Sequence, residues 1–356
     1  MKKLLAALVV GAGVIVVAAD PASAHGVGGV SPSNYKTEIL SIEPVVDGIS
    51  VEVVDLGDRL QLTNDTDQDV IVLGYDGEAY LRVGPDGVFE NVNSPAVYLN
   101  RERIPSDPDV PPDADPDAPP DWNRIKGNNT VSWHDHRAHW MGNDDPEAVR
   151  ANPDQQQVIQ DWTVKLRQGD RTIAVRGDLL WVPGPSPWRW AFLAILLAAA
   201  VIVLSRTKWW AAVIAAALLL LVAAELVHVV GLWGATTRSG LSKLLASAYS
   251  IAGILLGAGT LAWMARRRDP VGATPAVLIA AIFLFVAGGL ADLQTLARSQ
   301  LPTTQPDWVA RLCVTAALGL GAGLIVATLL RLRAAPAPAK PAPRRELEAT
   351  PGRLPA

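Results

Sequence analysis

The stretch WRWAFLAILLAAAVIVLS, residues 188–205, divides this chain in two. It has no charge after Arg189 and nearly reaches the length at which a helix crosses a hydrocarbon core. Four more segments of the same kind follow, at 209–233, 241–264, 274–297 and 308–330. Half of the 356 residues are apolar, and they concentrate in this second half. Residues 25–187 are instead polar, aspartate-rich and punctuated by Gly and Pro. The expected architecture is a multi-domain membrane protein, in which an extracytoplasmic all-β sandwich is followed by a five-helix transmembrane bundle.

The segment borders support this. Trp188, Trp190, Trp209, Trp210, Trp233, Trp263 and Trp308 sit at or near segment ends, where indole rings favour the membrane interface. Arg206, Lys208, Arg266, Arg267, Arg268, Arg331 and Arg333 fall in alternate connections, whereas the other two loops hold only Arg238 and Arg298. The positive-inside bias therefore places the polar half outside and residues 334–356, rich in Ala, Pro and basic residues, in the cytoplasm as a disordered tail.

Upstream, Lys2 and Lys3 precede an apolar run from Leu4 to Ala19, then Asp20-Pro21 and Ala22-Ser23-Ala24. This order reads as a secretory signal, residues 1–24, cut before His25. The alternative is an uncleaved anchor helix, for which the run is short. The expected location is a cell membrane of the envelope, crossed several times, with the lipid bilayer as first partner.

In residues 25–187, the runs 36–42, 49–55, 59–63 and 69–73 are short and β-prone, with turn signals at Asp76-Gly77 and Asp86-Gly87. Alternation over 162–167, a turn at 168–170 and renewed alternation over 171–176 predict a hairpin. Many short strands imply a sandwich of the immunoglobulin or cupredoxin kind. Residues 105–121 hold six aspartates and seven prolines and read as a solvated surface loop; calcium is the alternative, without the Gly-centred spacing of a loop site. The single cysteine, Cys313, rules out a disulfide framework, and the net charge of −4 with no basic face argues against nucleic acid.

The five histidines are His25, His134, His136, His139 and His228, and by this topology all face one compartment. If 130–136 is a strand, His134 and His136 share a face, because side chains alternate. An N-terminal His25 would add an amine and an imidazole nitrogen, a donor set that suits copper, with zinc as a second choice. The candidate metal set is His25, His134, Asp135, His136 and His139. The opposing account is a structural hydrogen-bond knot between Trp133 and Trp140. A second candidate site lies in the apolar half: Glu225 and His228, three apart on one helix face, with Asp292 and Arg311. It reads as a metal or proton relay, or as a structural ion-pair set such as Asp292 with Arg311.

An exported β-domain beginning at His resembles the CopC-like periplasmic copper proteins, in which an N-terminal His joins a carboxylate and a further His. The resemblance implies His25, Asp135 and His136 or His134 as counterparts, although the Asp-x-His spacing of that family is absent. The stretch Leu226-Val-His-Val-Val-Gly-Leu-Trp-Gly234 is similar to a His…Trp-x-Gly signature of CopD-like copper-resistance membrane proteins, which have more helices. The chain also looks like envelope membrane proteins of high-GC, actinobacterial-type bacteria. The resemblance implies a membrane-anchored, extracytoplasmic copper-handling protein that works with other copper-handling envelope proteins. The other expectation is a non-catalytic envelope module that binds a partner or stabilises a membrane complex. No Ser/His/Asp triad, phosphate loop or nucleotide motif is present, so no enzyme is expected, and a copper-dependent oxidase lacks a recognisable second copper site.

Overall fold

The structure is a computed structural model that describes residues 30–101, 110–142 and 144–334. The expected signal segment, His25, part of the acidic loop and all of the tail beyond Ala334 lie outside these residues.

The first half is β-structure. Its strands are β1 (Tyr35–Glu43), β2 (Ile49–Val54), β3 (Arg59–Asn64), β4 (Val70–Leu73), β5 (Ala79–Gly84), β6 (Gly87–Asn91), β7 (Trp122–Lys126), β8 (Thr130–Trp133), β9 (Gln157–Gln168) and β10 (Arg171–Trp181). Short helices α1 (Pro95–Leu99) and α2 (Glu147–Ala151) interrupt them. One sheet runs β1-β10-β9-β4-β5-β6-β7 and the other β2-β3-β8, with every pairing antiparallel. Alternation explains how they meet. On β9, Trp162, Val164 and Leu166 point inward while Asp161, Thr163 and Lys165 face out. They join Leu60, Leu62, Val131 and Trp133 of the smaller sheet in one apolar core.

The expected hairpin is present and longer than its alternating core, with Gln168 opposite Arg171 and Trp181 opposite Gln157. Gly169 at φ 56° takes the first position of its two-residue turn, a conformation that costs glycine little.

The second half is helical: α3 (Trp188–Leu204), α4 (Trp210–Gly234), α5 (Gly240–Ala246), α6 (Ala248–Arg267), α7 (Thr274–Phe285) and α8 (Asp307–Ala334). Three of these, α4, α6 and α8, are long and apolar enough to cross a membrane, with 25, 20 and 28 residues. The stretch 241–264, expected as one helix, is two, since α5 ends at Ala246 before α6 begins. The stretch 274–297 also departs from a single helix. After Phe285 the chain widens into a π turn over Val286–Leu290, then tightens into a 3₁₀ turn over Leu293–Leu296. Gly288 and Gly289, adjacent in that turn, weaken the regular ladder there.

Helix α8 is the central one, buried along most of its length and packed on α3, α4 and α7. Outward-facing positions such as Phe192, Ile195, Leu219, Leu220, Val230 and Leu255 are apolar and exposed, which is the pattern of helices whose solvent is lipid.

The two halves touch through loops. Ser33 and Gln300 exchange backbone hydrogen bonds of 3.0 and 2.8 Å, and Ser299 donates to the Asn34 side chain (3.0 Å) and the Val182 carbonyl (2.7 Å). Asp55, Leu56 and Gly57 all hold left-handed backbone angles, with φ of 52°, 58° and 85°. That conformation is unfavourable for Asp and Leu. It aims the Asp55 carboxylate at Thr237, whose backbone N–H (2.8 Å) and hydroxyl (2.9 Å) both donate to it.

Candidate functional site

Strand β8 ends at Trp133, so His134 and His136 do not occupy alternate positions of one strand. The physical reason is Asp135. Its carboxylate accepts from the backbone N–H of Arg137 at 3.2 Å and turns the chain into a 3₁₀ turn over His136–Ala138. The same carboxylate, fully buried, also accepts from Arg137 Nε and Nη2, both at 2.7 Å, and from the Trp133 indole at 2.9 Å. Arg137 in turn donates to the carbonyls of Gly74 and Leu73, at 3.3 and 3.2 Å, and lies over the Tyr75 ring. Burial by itself would lower the Arg137 pKa, but the Asp135 hydrogen bonds and charge hold it above its ordinary value.

His134 is equally engaged. Arg59 Nη2 lies 3.2 Å from its Nε2, and Nδ1 lies 2.8 Å from the Asp58 carbonyl oxygen. A guanidinium can only donate, so Nε2 accepts, and the imidazole proton sits on Nδ1 and is given to Asp58. His134 is thereby held with Nε2 toward the Arg59 guanidinium and Nδ1 toward Asp58, whose carboxylate Oδ2 is 3.6 Å from Nδ1. The His139 ring is buried, 6.3 Å from that of His134 between centroids, and the His139 carbonyl accepts from Gln160 at 3.1 Å. His136 is partly exposed; its ring is 6.3 Å from that of Tyr75, and its backbone N–H donates to the Tyr75 hydroxyl at 3.1 Å.

The structure thus gathers His134, Asp135, His136 and His139 at one edge of the core, while His25 lies outside the described residues. It also supplies partners that the histidine pattern did not indicate: Asp58, Arg59, Tyr75 and Arg137. Tyr75 makes a close contact with Asn100, and burial, aided by the Asp135 charge, pushes its phenol up to about 12. The one signal for it in the sequence was the Asp76-Gly77 turn, which sets Tyr75 at the end of a strand connection.

Copper or zinc needs unprotonated nitrogen or carboxylate lone pairs that converge on one point. Here Arg59 takes the Nε2 of His134, and Arg137 takes both oxygens of Asp135. Among the described residues, no three His, Cys, Asp or Glu side chains form a group that could hold a metal ion.

In the helical half, Asp292 pairs with His228: His228 Nε2 is 3.1 Å from Asp292 Oδ2. Arg311 donates to Asp307 on its own helix at 3.2 Å and to the Arg298 carbonyl at 2.8 Å. The reason is the break after Phe285, which carries Asp292 toward α4, while α8 turns Arg311 toward the loop that leads into it. Glu225 is buried on α4 against Gly288. Lys243 donates to the Trp233 carbonyl at 2.8 Å, tying α5 to the end of α4.

Comparison of the chain with protein families, with curated proteins and with solved structures finds no match in any of the three.

Proposed function

We propose that the chain is a membrane-anchored module of the cell envelope without catalytic chemistry of its own. Its β-sandwich, of the immunoglobulin or cupredoxin kind, stands on the extracytoplasmic end of five membrane-crossing helices and binds a partner or steadies a membrane complex. The observation that carries this reading is the buried Asp135–Arg137–Trp133 knot, with Arg59 on His134. Those contacts engage both oxygens of Asp135 and Nε2 of His134 within the protein.

Several features support the anchored arrangement. Helix α3 and the α7–π segment each have 17 residues, about 26 Å at the helical rise, which approaches the thickness of a hydrocarbon core. The basic residues Arg206, Lys208, Arg266, Arg267, Arg331 and Arg333 lie at helix ends remote from the loops that touch the β-domain, as the positive-inside bias asks. The contacts of Asp55 with Thr237 and of Ser33 with Gln300 suit a domain held in place rather than tethered.

The test uses the purified full chain. With one equivalent of Cu(II), its EPR spectrum shows no nitrogen hyperfine lines from bound copper, and His134→Ala lowers Tm equally in copper and in chelator. A stoichiometric copper spectrum that disappears in His134→Ala would overturn the reading. Copper handling in concert with envelope partners is the second reading. The observation in its favour is that His134 and His139 lie close together in the stretch that also holds His136.

A further inference from the structure

A row of side chains crosses the outer face of the seven-stranded sheet at right angles to its strands. Register sets Arg124 of β7 beside Phe89 of β6, and Phe89 beside Arg82 of β5. It then sets Arg82 beside Ile71 of β4, and Ile71 beside Arg167 of β9. Cross-strand partners point to one side of a sheet. Here that side is the outer one, because their chain neighbours Val72, Leu81, Val83, Val88 and Leu166 fill the core. Every second strand thus carries an arginine, and each strand between carries an apolar side chain.

The centre of the row is held in place. The Arg82 guanidinium lies 4.1 Å from the centre of the Phe89 ring and 5.2 Å from that of Trp122. Arg124 Nη2 donates to the Asp86 carbonyl at 2.6 Å. A guanidinium stacked on a ring keeps its N–H edge for acceptors in its own plane. Asp69, 45% exposed, meets Arg82 at 3.7 Å, while Asp67, Asp86 and Asp170 belong to turns beyond the strand ends. Lys165, exposed two residues before Arg167 on the same face of β9, adds a further positive charge. The row is therefore basic in a chain whose net charge is −4.

Place and spacing decide what such a row takes. From Thr172, opposite Arg167, to Trp181 near the start of α3, β10 runs about 30 Å. The row is thus at the far end of the domain from the helices, out of reach of lipid headgroups. Neighbouring strands are about 4.8 Å apart, so arginines on alternate strands repeat at about 9.6 Å. That is about one Debye length in dilute salt, so the three like charges repel and an acidic occupant relieves them. A polyproline II chain rises about 3.1 Å per residue with three residues per turn, so its every third side chain falls on one edge at about 9.3 Å. The two repeats match. Phe89 and Ile71, between the arginines, meet the intervening residues of such a peptide, whereas a phosphate or sulfate polymer offers them nothing apolar.

We propose that this row binds an extended acidic peptide segment of a partner protein, laid across the strands with an Asp or Glu at every third residue. Arg124, Arg82 and Arg167 each take one carboxylate, and Phe89 and Ile71 carry the residues between.

The proposal rests on the partner-binding reading and gives that partner its chemistry. The full chain in lipid nanodiscs, with chelator present, is titrated into a fluorescein-labelled peptide of repeated Asp-Pro-Pro and followed by fluorescence anisotropy. The expected result is saturable binding that weakens as salt is raised and falls about tenfold in Arg82→Gln and in Arg167→Gln. A peptide of the same composition with its aspartates in one block should bind much more weakly. Absence of binding, equal binding of the block peptide, or unchanged affinity in both variants overturns the proposal. Tighter binding of heparin or polyphosphate than of the peptide would make the occupant a sulfate or phosphate polymer and also overturns it. If Arg82→Gln does not fold, the exposed Arg124 and Arg167 carry the test, and unchanged affinity in Arg124→Gln and Arg167→Gln counts against the row. The chelator keeps this outcome apart from the copper test: a copper spectrum lost in His134→Ala defeats the metal-free reading, while peptide binding stands or falls on the arginines.

Discussion

At the scale of single residues, the clearest feature is a carboxylate that arranges its neighbours. Asp135 accepts from a backbone N–H, a guanidinium fork and an indole with no exposure to water. Removing one partner of such a buried pair leaves the other charge uncompensated, at a cost of about 3–5 kcal/mol. Asp135→Ala is therefore expected to lower thermal stability by that order, identically with and without added metal. Denaturant titration checks it, and a metal-dependent loss would mean that the carboxylate is a ligand. Tyr75 makes a prediction in pH. Its phenol titrates near 10.0 when unfolded and near 12 when folded. Between those values the unfolded chain binds fewer protons than the native one, so stability is intact below pH 10 and falls as pH rises toward 12. Melting curves across that window should show the decline, and Tyr75→Phe should make it shallower; an unchanged slope would remove Tyr75 as its source. The clustering of His134, His136 and His139 was legible because they are neighbours in the chain. Their partners were not, because Arg59 lies 75 residues from His134 and nothing local couples the two.

At the scale of elements, strands and helices were read from different periods with different success. The β9–β10 hairpin was plain because alternation and a Gly turn agree. The broken end of α7 was hidden, because a π turn has the same composition as the helix it ends. Packing of α8 rests on missing side chains. A Cβ at Gly319 would lie 2.6 Å from the Ala194 carbonyl oxygen, and one at Gly323 would lie 2.8 Å from Val201 Cβ, so α3 seats against α8 only where both are glycine. Gly319→Leu should push the two helices apart and cost on the order of 1–3 kcal/mol, as overpacking does. Gly259→Leu, on α6 with nothing within 4 Å of its added Cβ, is the matched control and should be close to neutral. Thermal unfolding of both variants in detergent decides it; equal losses would show that α3 and α8 do not depend on close approach.

At the scale of the whole molecule, the two halves are joined by contacts that have no precursor in either. The Asp55 carboxylate reaches Thr237, 182 residues away, and the left-handed run at 55–57 is held in that contact. Asp55→Ala should loosen the loop at 235–239 and raise its amide hydrogen exchange while leaving exchange in β9 and β10 unchanged. No rise at that loop would mean the contact does not hold the halves together. Membrane topology is open to a separate measurement. In a Cys313→Ser background, Ser239→Cys should react with an impermeant thiol reagent from the β-domain side and Thr207→Cys only from the other. Labelling of both from one side would break the five-helix arrangement.

By itself the sequence determined the division at Trp188, the β character of the half before it and the helical, lipid-compatible character of the half after it. All three come from local properties: side-chain period, apolar length and turn residues. Only the tertiary structure decided which charges meet. Asp135 meets Arg137, His134 meets Arg59, and Asp292 meets His228. An ion pair depends on where two chain segments come to rest, and composition or spacing along the chain carries no record of that. The stretch 188–205 could therefore announce a membrane protein, while the character of its histidines waited on their neighbours in space.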